Sequence, residues 1–499
     1  MRVAIIGMGT AGVSVLRQLV KHENFSTLIV DVYDNKINMG HGVPFQNDSD
    51  ELLINLPSKK MSLNLEDDLE FWHWYQQQNI FSYENPKYLP RFIFGHYMKS
   101  YLLHFDKIFD NLTLIHDEVK EIFTNSNVDE TALKYYVCTS DDMNDWKEYD
   151  YIFLTIGTLS YHDPYQLKGI PGYIQSPYPT YNTLDEVKET DRIAIIGTGL
   201  ASLDVVRYVA THHKHLPIIM TSRSTQLPSV RGNMQEITFR YLTKQTFNSI
   251  KAVNYGNVPL DTLVKLFYKE CEEWNIELDT LINRRSGNHI DDLQYDLDHS
   301  QELGVFQGLI EHLKENLNWI YNSLSSSDQQ LFDKKYTKVI QLNSNPMPPR
   351  TAKLLIELMQ NGSLIIKRGL ENITHDGQLF NLTFKDTSSC DDFNIIINAT
   401  GAKTHLAELD EDDQLVINLE NRRIVQAHPM GGIQIVPETN QIISPRYGTL
   451  TNAVAIGQLT NGVNKLRNGV KMIVSQVVNA VDYLYEHQSR LSRDNISKK

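Results

Sequence analysis

Short, largely apolar runs recur along the chain, most of them ending in small residues. Val3-Ala4-Ile5-Ile6 is the first. Leu28 to Tyr33, Tyr151 to Leu154, Arg192 to Ile196, Leu216 to Met220, Ile395 to Asn398 and Ala453 to Ile456 follow it. Runs this short, without polar alternation, suit strands of a parallel sheet covered on both faces. Helical spacing follows two of them. Val15, Leu16, Leu19 and Val20 share a face after the first run, and Leu203, Val206, Val209 and Ala210 share one after the fourth. Strand, turn and helix in that order predict an α/β protein built on parallel sheets.

The turns between strand and helix carry the chemistry. The first reads Gly7-Met8-Gly9-Thr10-Ala11-Gly12. Gly7 permits a tight turn, Gly9 lets a pyrophosphate approach the backbone, and Gly12 allows close helix–strand packing. The helix N-terminus offers free N–H groups and a positive dipole end to phosphates. The second strand ends in Asp34, 22 residues after Gly12, where a carboxylate accepts hydrogen bonds from ribose hydroxyls. Asp31 competes for that role but falls inside the strand. The fourth run leads into Gly197-Thr198-Gly199-Leu200-Ala201-Ser202, in which Ser202 keeps the third position small. Its following strand ends in Thr221-Ser222-Arg223-Ser224, with no acid at the tip. A 2′-phosphate would be repelled by a carboxylate and accepted by Ser222 and Arg223, so NADPH is expected over NADH. A lone GxGxxG also occurs as a turn in non-binding proteins. Two in strand–turn–helix context argue for two Rossmann-like dinucleotide-binding domains.

The remaining runs suggest that the chain leaves its first domain and later returns. Tyr151–Leu154 ends in Thr155-Ile156-Gly157-Thr158, Ile395–Asn398 ends in Ala399-Thr400-Gly401, and Ala453–Ile456 ends in Gly457-Gln458. Glycine and small residues there let the backbone pass close to a bound dinucleotide. A helical pattern from about Lys471 to Tyr485 follows the last of them. The expected division is 1–165 with 395–499 as one domain and 166–394 as a second inserted in it. A helical insertion covers about 233–345. Leu260, Leu263, Phe267, Cys271 and Trp274 share a face within it, as do Leu309, Leu313, Leu317 and Ile320. It reads either as a cap over a bound ring or as packing on the second domain or a partner subunit. Met347-Pro348-Pro349 reads as a hinge or a loop before a helix over Thr351–Gln360.

With these motifs in place, the chain resembles the FAD/NAD(P)-binding oxidoreductases related to class B flavin monooxygenases and N-hydroxylases. Gly40-His41-Gly42-Val43-Pro44-Phe45, Leu52-Leu53-Ile54-Asn55-Leu56-Pro57, Met61-Ser62-Leu63, Pro90-Arg91, Phe94-Gly95 and Tyr97 carry the resemblance to one poorly characterised branch. It covers the outer domain and the second glycine motif well, and Asn233 to Asn345 poorly. The resemblance implies FAD in the outer domain, its pyrophosphate at Gly7–Gly12 and its ribose at Asp34. Gly40 to Met61 would wrap the flavin ring, with Gly42 and Asn55 among the contacts. The end of Asn111 to Ile122, at Val119, would meet the adenine. Thr155, Gly157, Thr400, Gly401, Gly457 and Gln458 would border the cofactors, and Gly197, Gly199, Ser202, Ser222 and Arg223 would hold NADPH. Two departures stand out. Gly457-Gln458 replaces the Gly-Asp of many such flavoproteins, and the Phe-x-Gly-x-x-x-His signature of Baeyer–Villiger and flavin-containing monooxygenases is not intact.

Composition narrows the choice. With 47 basic against 61 acidic residues the formal charge is −14, and no basic run offers a nucleic-acid groove. No apolar stretch approaches the ~20 residues that cross a bilayer, and the N-terminus lacks signal-peptide architecture. The expectation is a soluble cytoplasmic protein. Cys138, Cys271 and Cys390 form no Cys-x-x-Cys pair, which fits a reducing compartment and weighs against dithiol chemistry. No metal-ligand spacing or Ser/His/Asp set appears. His41 either contacts the ring or substrate or is structural beside its glycines. Arg91 either holds an anionic group or forms a surface ion pair. Three functions remain open. The first is an NADPH-dependent FAD oxidoreductase acting as a monooxygenase on a small metabolite such as an amine or amino acid, with oxygen as co-substrate. The second passes the same electrons to a non-oxygen acceptor. The third is a dinucleotide-binding sensor without turnover. The sequence leaves oligomeric state open.

Overall fold

The computed structural model describes residues 1–79, 81–83, 86–125, 133–140, 145–214, 216–385 and 387–497. The chain divides into two compact units. One comprises Met1–Asn47, Pro57–Ser160 and Ala402–Lys499, the other Asp48–Leu56 and Tyr161–Gly401.

The first unit is built on a six-stranded sheet. Its strand order is Gln441–Ser444, Gly448–Ala455, Tyr151–Leu154, Arg2–Ile6, Ile29–Tyr33, Leu112–Ile115. All neighbours are parallel except the antiparallel edge pair Gln441–Ser444 and Gly448–Ala455. The central position of Arg2–Ile6 explains its unbroken apolar character: Val3, Ala4 and Ile5 are fully buried. Helix Thr10–Val20 follows, and the C-terminal helix Val470–Ser497 packs against it. There the Tyr485 hydroxyl donates to the Leu19 carbonyl at 3.1 Å and its ring stacks on His22 at 3.6 Å. A three-stranded antiparallel meander, Glu121–Thr124, Tyr135–Cys138 and Trp146–Tyr149, completes the unit's sheets. Asp31 is buried beneath it, accepting from Tyr149 Oη at 2.6 Å and paired with Arg2 at 3.0 Å.

The second unit carries a five-stranded, all-parallel sheet in the order Leu364–Arg368, Ile218–Ser222, Ile193–Ile196, Ile395–Asn398, Tyr173–Ile174. One expectation changes here. Ile395–Asn398 pairs with Ile193–Ile196, Ile396 opposite Ala194, so this strand belongs to the second sheet rather than the first. The boundaries move accordingly. Residues 161–165, 395–401 and 48–56 lie in the second unit, because sheet pairing and packing, not sequence adjacency, decide membership. A second antiparallel meander, Leu370–His375, Phe380–Phe384 and Thr387–Phe393, caps one side.

The insertion packs on the core of its own unit. Leu293, on helix His289–Asp298, joins the cluster of Ile195, Leu203, Val206 and Met347. The buried Asp296 carboxylate binds Arg284 at 2.8 Å and Arg285 at 3.0 Å, and accepts from the Val230 amide at 2.9 Å. Gly304 lets helix Ser300–Tyr321 touch the backbone at Asn233, since a Cβ there would lie 2.2 Å from the Asn233 carbonyl. Met347 is pinned rather than hinged: it exchanges backbone bonds of 2.8 Å with Ser229 and Arg231. Pro349 then occupies the first turn of helix Pro349–Gln360, where its missing N–H costs nothing. Cys138 and Cys271 are buried and form no disulfide among the described residues; the Cys390 side chain lies outside the described residues. Among the described residues no helix is long and apolar enough to cross a membrane, and no cluster of three His, Cys, Asp or Glu is placed to hold a metal.

Candidate functional site

The first glycine turn joins strand Arg2–Ile6 to helix Thr10–Val20. Gly7 has φ +96°, and a Cβ on it would lie 2.4 Å from the Thr155 carbonyl. A Cβ on Gly12 would lie 2.0 Å from the Gly7 carbonyl, so helix and turn touch only because both residues are glycine. The helix caps itself with Gly9, without a side-chain hydrogen bond and without an acid in its first turn. The first N–H groups, including those of Thr10 and Ala11, therefore present a positive dipole end that no side-chain cap or first-turn acid neutralises. Gly9 differs from its expected role in one respect. The side where a Cβ would sit faces the Gly42 Cα at 3.5 Å, so the chain's own loop, not open space, borders it. Gly42 has φ +65°, and Gly40 N donates to the Met8 carbonyl at 3.0 Å. The Gly40–Phe45 segment thus lies against the cradle.

Asp34 follows strand Ile29–Tyr33. Its Oδ2 accepts from Met8 N at 2.6 Å and its Oδ1 from Asn35 N at 2.8 Å. Burial pushes its pKa up, and those two amides oppose the rise. Each oxygen retains a further lone pair for a ribose hydroxyl. The carboxylate thus also ties the strand tip to the glycine turn.

The second turn has the same plan with looser contacts. Gly197 has φ +123°, and its Cβ would meet the Ala399 carbonyl at 2.6 Å and Ser202 Oγ at 2.9 Å. Gly199, which caps helix Leu200–His212, has nothing within 4 Å of its Cβ position. This helix too lacks a side-chain cap and an acid in its first turn. Ser202 is fully buried and its hydroxyl has no hydrogen-bond partner among the described residues. The adjoining strand runs on to Ser222, two residues further than its apolar run suggests, because Ser222 pairs with Arg368. Ser222 Oγ accepts from Thr225 N at 2.8 Å and lies 3.3 Å from Thr198 Oγ1. Arg223 is exposed at the strand tip, close enough to influence the Tyr165 hydroxyl.

The other expected positions have varied surroundings. The Thr155 hydroxyl lies within hydrogen-bonding distance of the Ile6 and Gly7 carbonyls, at 3.0 and 2.7 Å, and is buried, so it braces the turn. Val119 lies beyond strand Leu112–Ile115 and packs with Tyr33 and Ile122 in the core. Gly157, Gly401 and Gly457 all have positive φ and open space beside them. The Thr400 hydroxyl bonds Asn398 Oδ1 at 2.8 Å within the second unit. His41 is 6% exposed, its Nδ1 lies 3.0 Å from the Gly42 carbonyl, and burial depresses its pKa, favouring the neutral ring. Arg91 opens helix Arg91–Ile108. Asn55 is half-buried in the Asp48–Leu56 segment, which belongs to the second unit.

One feature escaped sequence reasoning. Gln458 borders a recess of about 190 Å³ with Thr158, Lys403, Thr404, Gly432 and Asn461. Lys403 is buried there with its Nζ 2.6 Å from Ser160 Oγ, 2.6 Å from Asp410 and 3.1 Å from Asp413. Burial works against its charge, but the two carboxylates outweigh it and raise its pKa. Ser160 and Lys403 are too far apart in sequence for any spacing to have signalled the pair.

Residues 4–159 match a family model described as FAD-NAD(P)-binding. No curated protein matches the sequence. Among solved structures, the ornithine hydroxylase of Pseudomonas aeruginosa aligns over 98% of this chain and 99% of its own, with TM-score 0.56 and 12% identity. The ornithine N-hydroxylase of Kutzneria sp. 744, solved with FADred, NADP+ and L-orn, covers 97% and 99% with TM-score 0.58 and 13% identity. The L-lysine 6-monooxygenase of Pseudomonas syringae covers 98% and 99% with TM-score 0.57 and 13% identity. The fold is that of FAD/NAD(P)-binding oxidoreductases, in keeping with the resemblance carried by the glycine motifs.

Proposed function

We propose that this protein is an FAD-dependent oxidoreductase reduced by NADPH, and that it N-hydroxylates a small primary amine or amino acid. The observation that carries the reading is the pair of glycine cradles, each at the end of a parallel strand and the start of a long helix with no side-chain cap. Both fit a pyrophosphate: an acid-free helix N-terminus attracts it, and the glycines keep side chains out of its way. The first cradle is bordered by its own chain at Gly42 and braced by Asp34, which suits a resident FAD. The second is open at Gly199 and rimmed by exposed Arg223, which suits a nucleotide that enters and leaves with each turnover. Fold likeness to ornithine and lysine hydroxylases supports an amine as substrate.

In this reading Gly7–Gly12 and Asp34 orient the flavin nucleotide, Gly197 and Gly199 seat the nicotinamide nucleotide, and Ser222 and Arg223 select its phosphorylated form. When bound, FAD and NADPH supply the hydride and oxygen chemistry; the protein supplies binding, orientation and exclusion of water. The balanced reaction is R-NH2 + NADPH + H+ + O2 giving R-NHOH + NADP+ + H2O. The test is anaerobic mixing of the FAD-loaded protein with NADPH and, separately, NADH while flavin absorbance is followed. Bleaching much faster with NADPH is expected. Oxygen uptake is then measured with candidate amines, and hydroxylamine is assayed. A chain that takes up no flavin, or whose flavin neither nucleotide reduces, refutes the oxidoreductase. Bleaching with oxygen uptake and product unaffected by every amine, but an electron acceptor consumed, favours a reductase instead.

A further inference from the structure

The segment Asp48–Leu56 leaves the first unit for nine residues and packs in the second, where Leu52, Leu53 and Ile54 are buried. It lies in sequence between Gly40–Phe45, which abuts the first cradle, and Met61. Two polar contacts fasten it. Asp48 Oδ1 accepts from Thr180 N at 2.8 Å and from Thr180 Oγ1 at 2.6 Å. Glu51 Oε1 lies 3.2 Å from His212 Nε2. Both contacts lead to one helix. His212 is the last residue of Leu200–His212, whose N-terminus is the second cradle. Two residues before Thr180, the Tyr178 hydroxyl donates to Asp204 on that same helix at 2.7 Å.

We infer that Asp48–Leu56 is a strap through which a nucleotide in the second cradle tightens the first unit's grip on FAD, with Asp48 and Glu51 as positioning residues. This rests on the functional reading above. A pyrophosphate at Gly199 orders the N-terminal turns of Leu200–His212. Through Asp204 and Tyr178 at one end and His212 at the other, that order reaches the strap, and peptide bonds at Asn47–Asp48 and Leu56–Pro57 carry it into the flavin loop. The Gly40 amide on the Met8 carbonyl and Gly42 against Gly9 are where the loop meets the flavin cradle. Linkage then requires reciprocity: FAD tightens NADP+ by the same factor.

The test measures FAD affinity of apoprotein by fluorescence quenching, with and without saturating NADP+, and NADP+ affinity with and without FAD. Wild type is expected to bind each ligand at least about fivefold tighter in the presence of the other. Asp48→Ala with Glu51→Ala should bring both ratios to within about twofold of unity. Asp48→Asn should restore them, because its amide oxygen still accepts from Thr180. A wild-type ratio near unity, or a ratio untouched in the double variant, overturns the inference. If the double variant does not fold, Glu51→Ala alone decides: its surface partner makes it benign for folding, and unchanged coupling overturns the inference. A chain that binds no FAD at all fails the functional reading first. One that binds both ligands without coupling fails only the strap.

Discussion

The two cradles share a strand, a glycine turn and a helix, yet they differ in how closely the protein packs around them. In the first, Gly12 touches the Gly7 carbonyl, Gly7 touches Thr155, and Gly42 borders Gly9. In the second, Gly199 faces open space and the third small position holds a serine. The same local pattern therefore yields a snug seat and an open one, and what separates them lies outside the motif. The Gly40–Phe45 loop and Asp34 close the first; the second receives no equivalent loop contact at Gly199 among the described residues. Motif glycines consequently do two different jobs. Gly12 is required by the protein's own packing, whereas Gly199 leaves room for a guest.

That contrast is sharpest under single methyl additions. Gly12→Ala places a carbon 2.0 Å from a backbone carbonyl that is itself held by its neighbours. A loss of about 3 kcal/mol is expected, read by denaturant unfolding, together with protein that purifies without flavin. Unchanged stability would mean the turn is looser than this packing implies. Gly199→Ala should behave the opposite way. Its φ is −84° and its Cβ position is open, so stability should stay within ~1 kcal/mol of wild type. The new methyl would occupy the approach path of the pyrophosphate, raising KM for NADPH about thirtyfold, or ~2 kcal/mol. If Gly199→Ala instead unfolds the protein and keeps nucleotide affinity, the distinction between the two seats collapses.

Arg223 probes the open seat further out. It is exposed at the tip of Ile218–Ser222, so removing it leaves packing intact. Arg223→Ala should raise KM for NADPH about tenfold, ~1.4 kcal/mol, while KM for NADH stays the same. Equal effects on both nucleotides would remove the 2′-phosphate from its role.

The parts legible in the sequence are those decided by neighbours along the chain. Glycine spacing, the buried run Val3–Ile6 and the helix behind it are local, and the six-residue motifs stand where they were expected. Sheet membership is not local. Ile395-Ile396-Ile397-Asn398 suits either parallel sheet, and only pairing with Ile193–Ile196 assigns it to the second. The same holds for Asp48–Leu56, whose apolar residues say that it is buried but not in which unit. Thr155 shows the limit for site residues. A threonine after a strand beside a glycine motif looks available to a cofactor, and only its distances to the Ile6 and Gly7 carbonyls show that its hydroxyl is spent on the backbone. The Ser160–Lys403–Asp413 cluster had no sequence signal, because its members meet only after the chain has left the first unit and come back.

The smallest effect tests the one imperfection in the second turn. Ser202 occupies the position of Gly12, fully buried, with a hydroxyl that finds no partner among the described residues. A buried hydroxyl without a hydrogen bond carries a desolvation cost of about 1 kcal/mol or more. Ser202→Ala keeps the methylene that fills the space beside Gly197 and removes that cost. It should therefore raise stability by ~1 kcal/mol, a Tm increase of about 1 °C, and leave KM for NADPH untouched. Ser202→Gly, although it restores the full glycine pattern, should do the reverse. It empties the space beside Gly197 and adds freedom to the unfolded chain, lowering stability by ~1 kcal/mol. Opposite signs for the two variants mean that serine serves there by its bulk. If Ser202→Ala weakened NADPH binding without stabilising the fold, the hydroxyl would be a nucleotide contact and the open seat would extend deeper than Gly199.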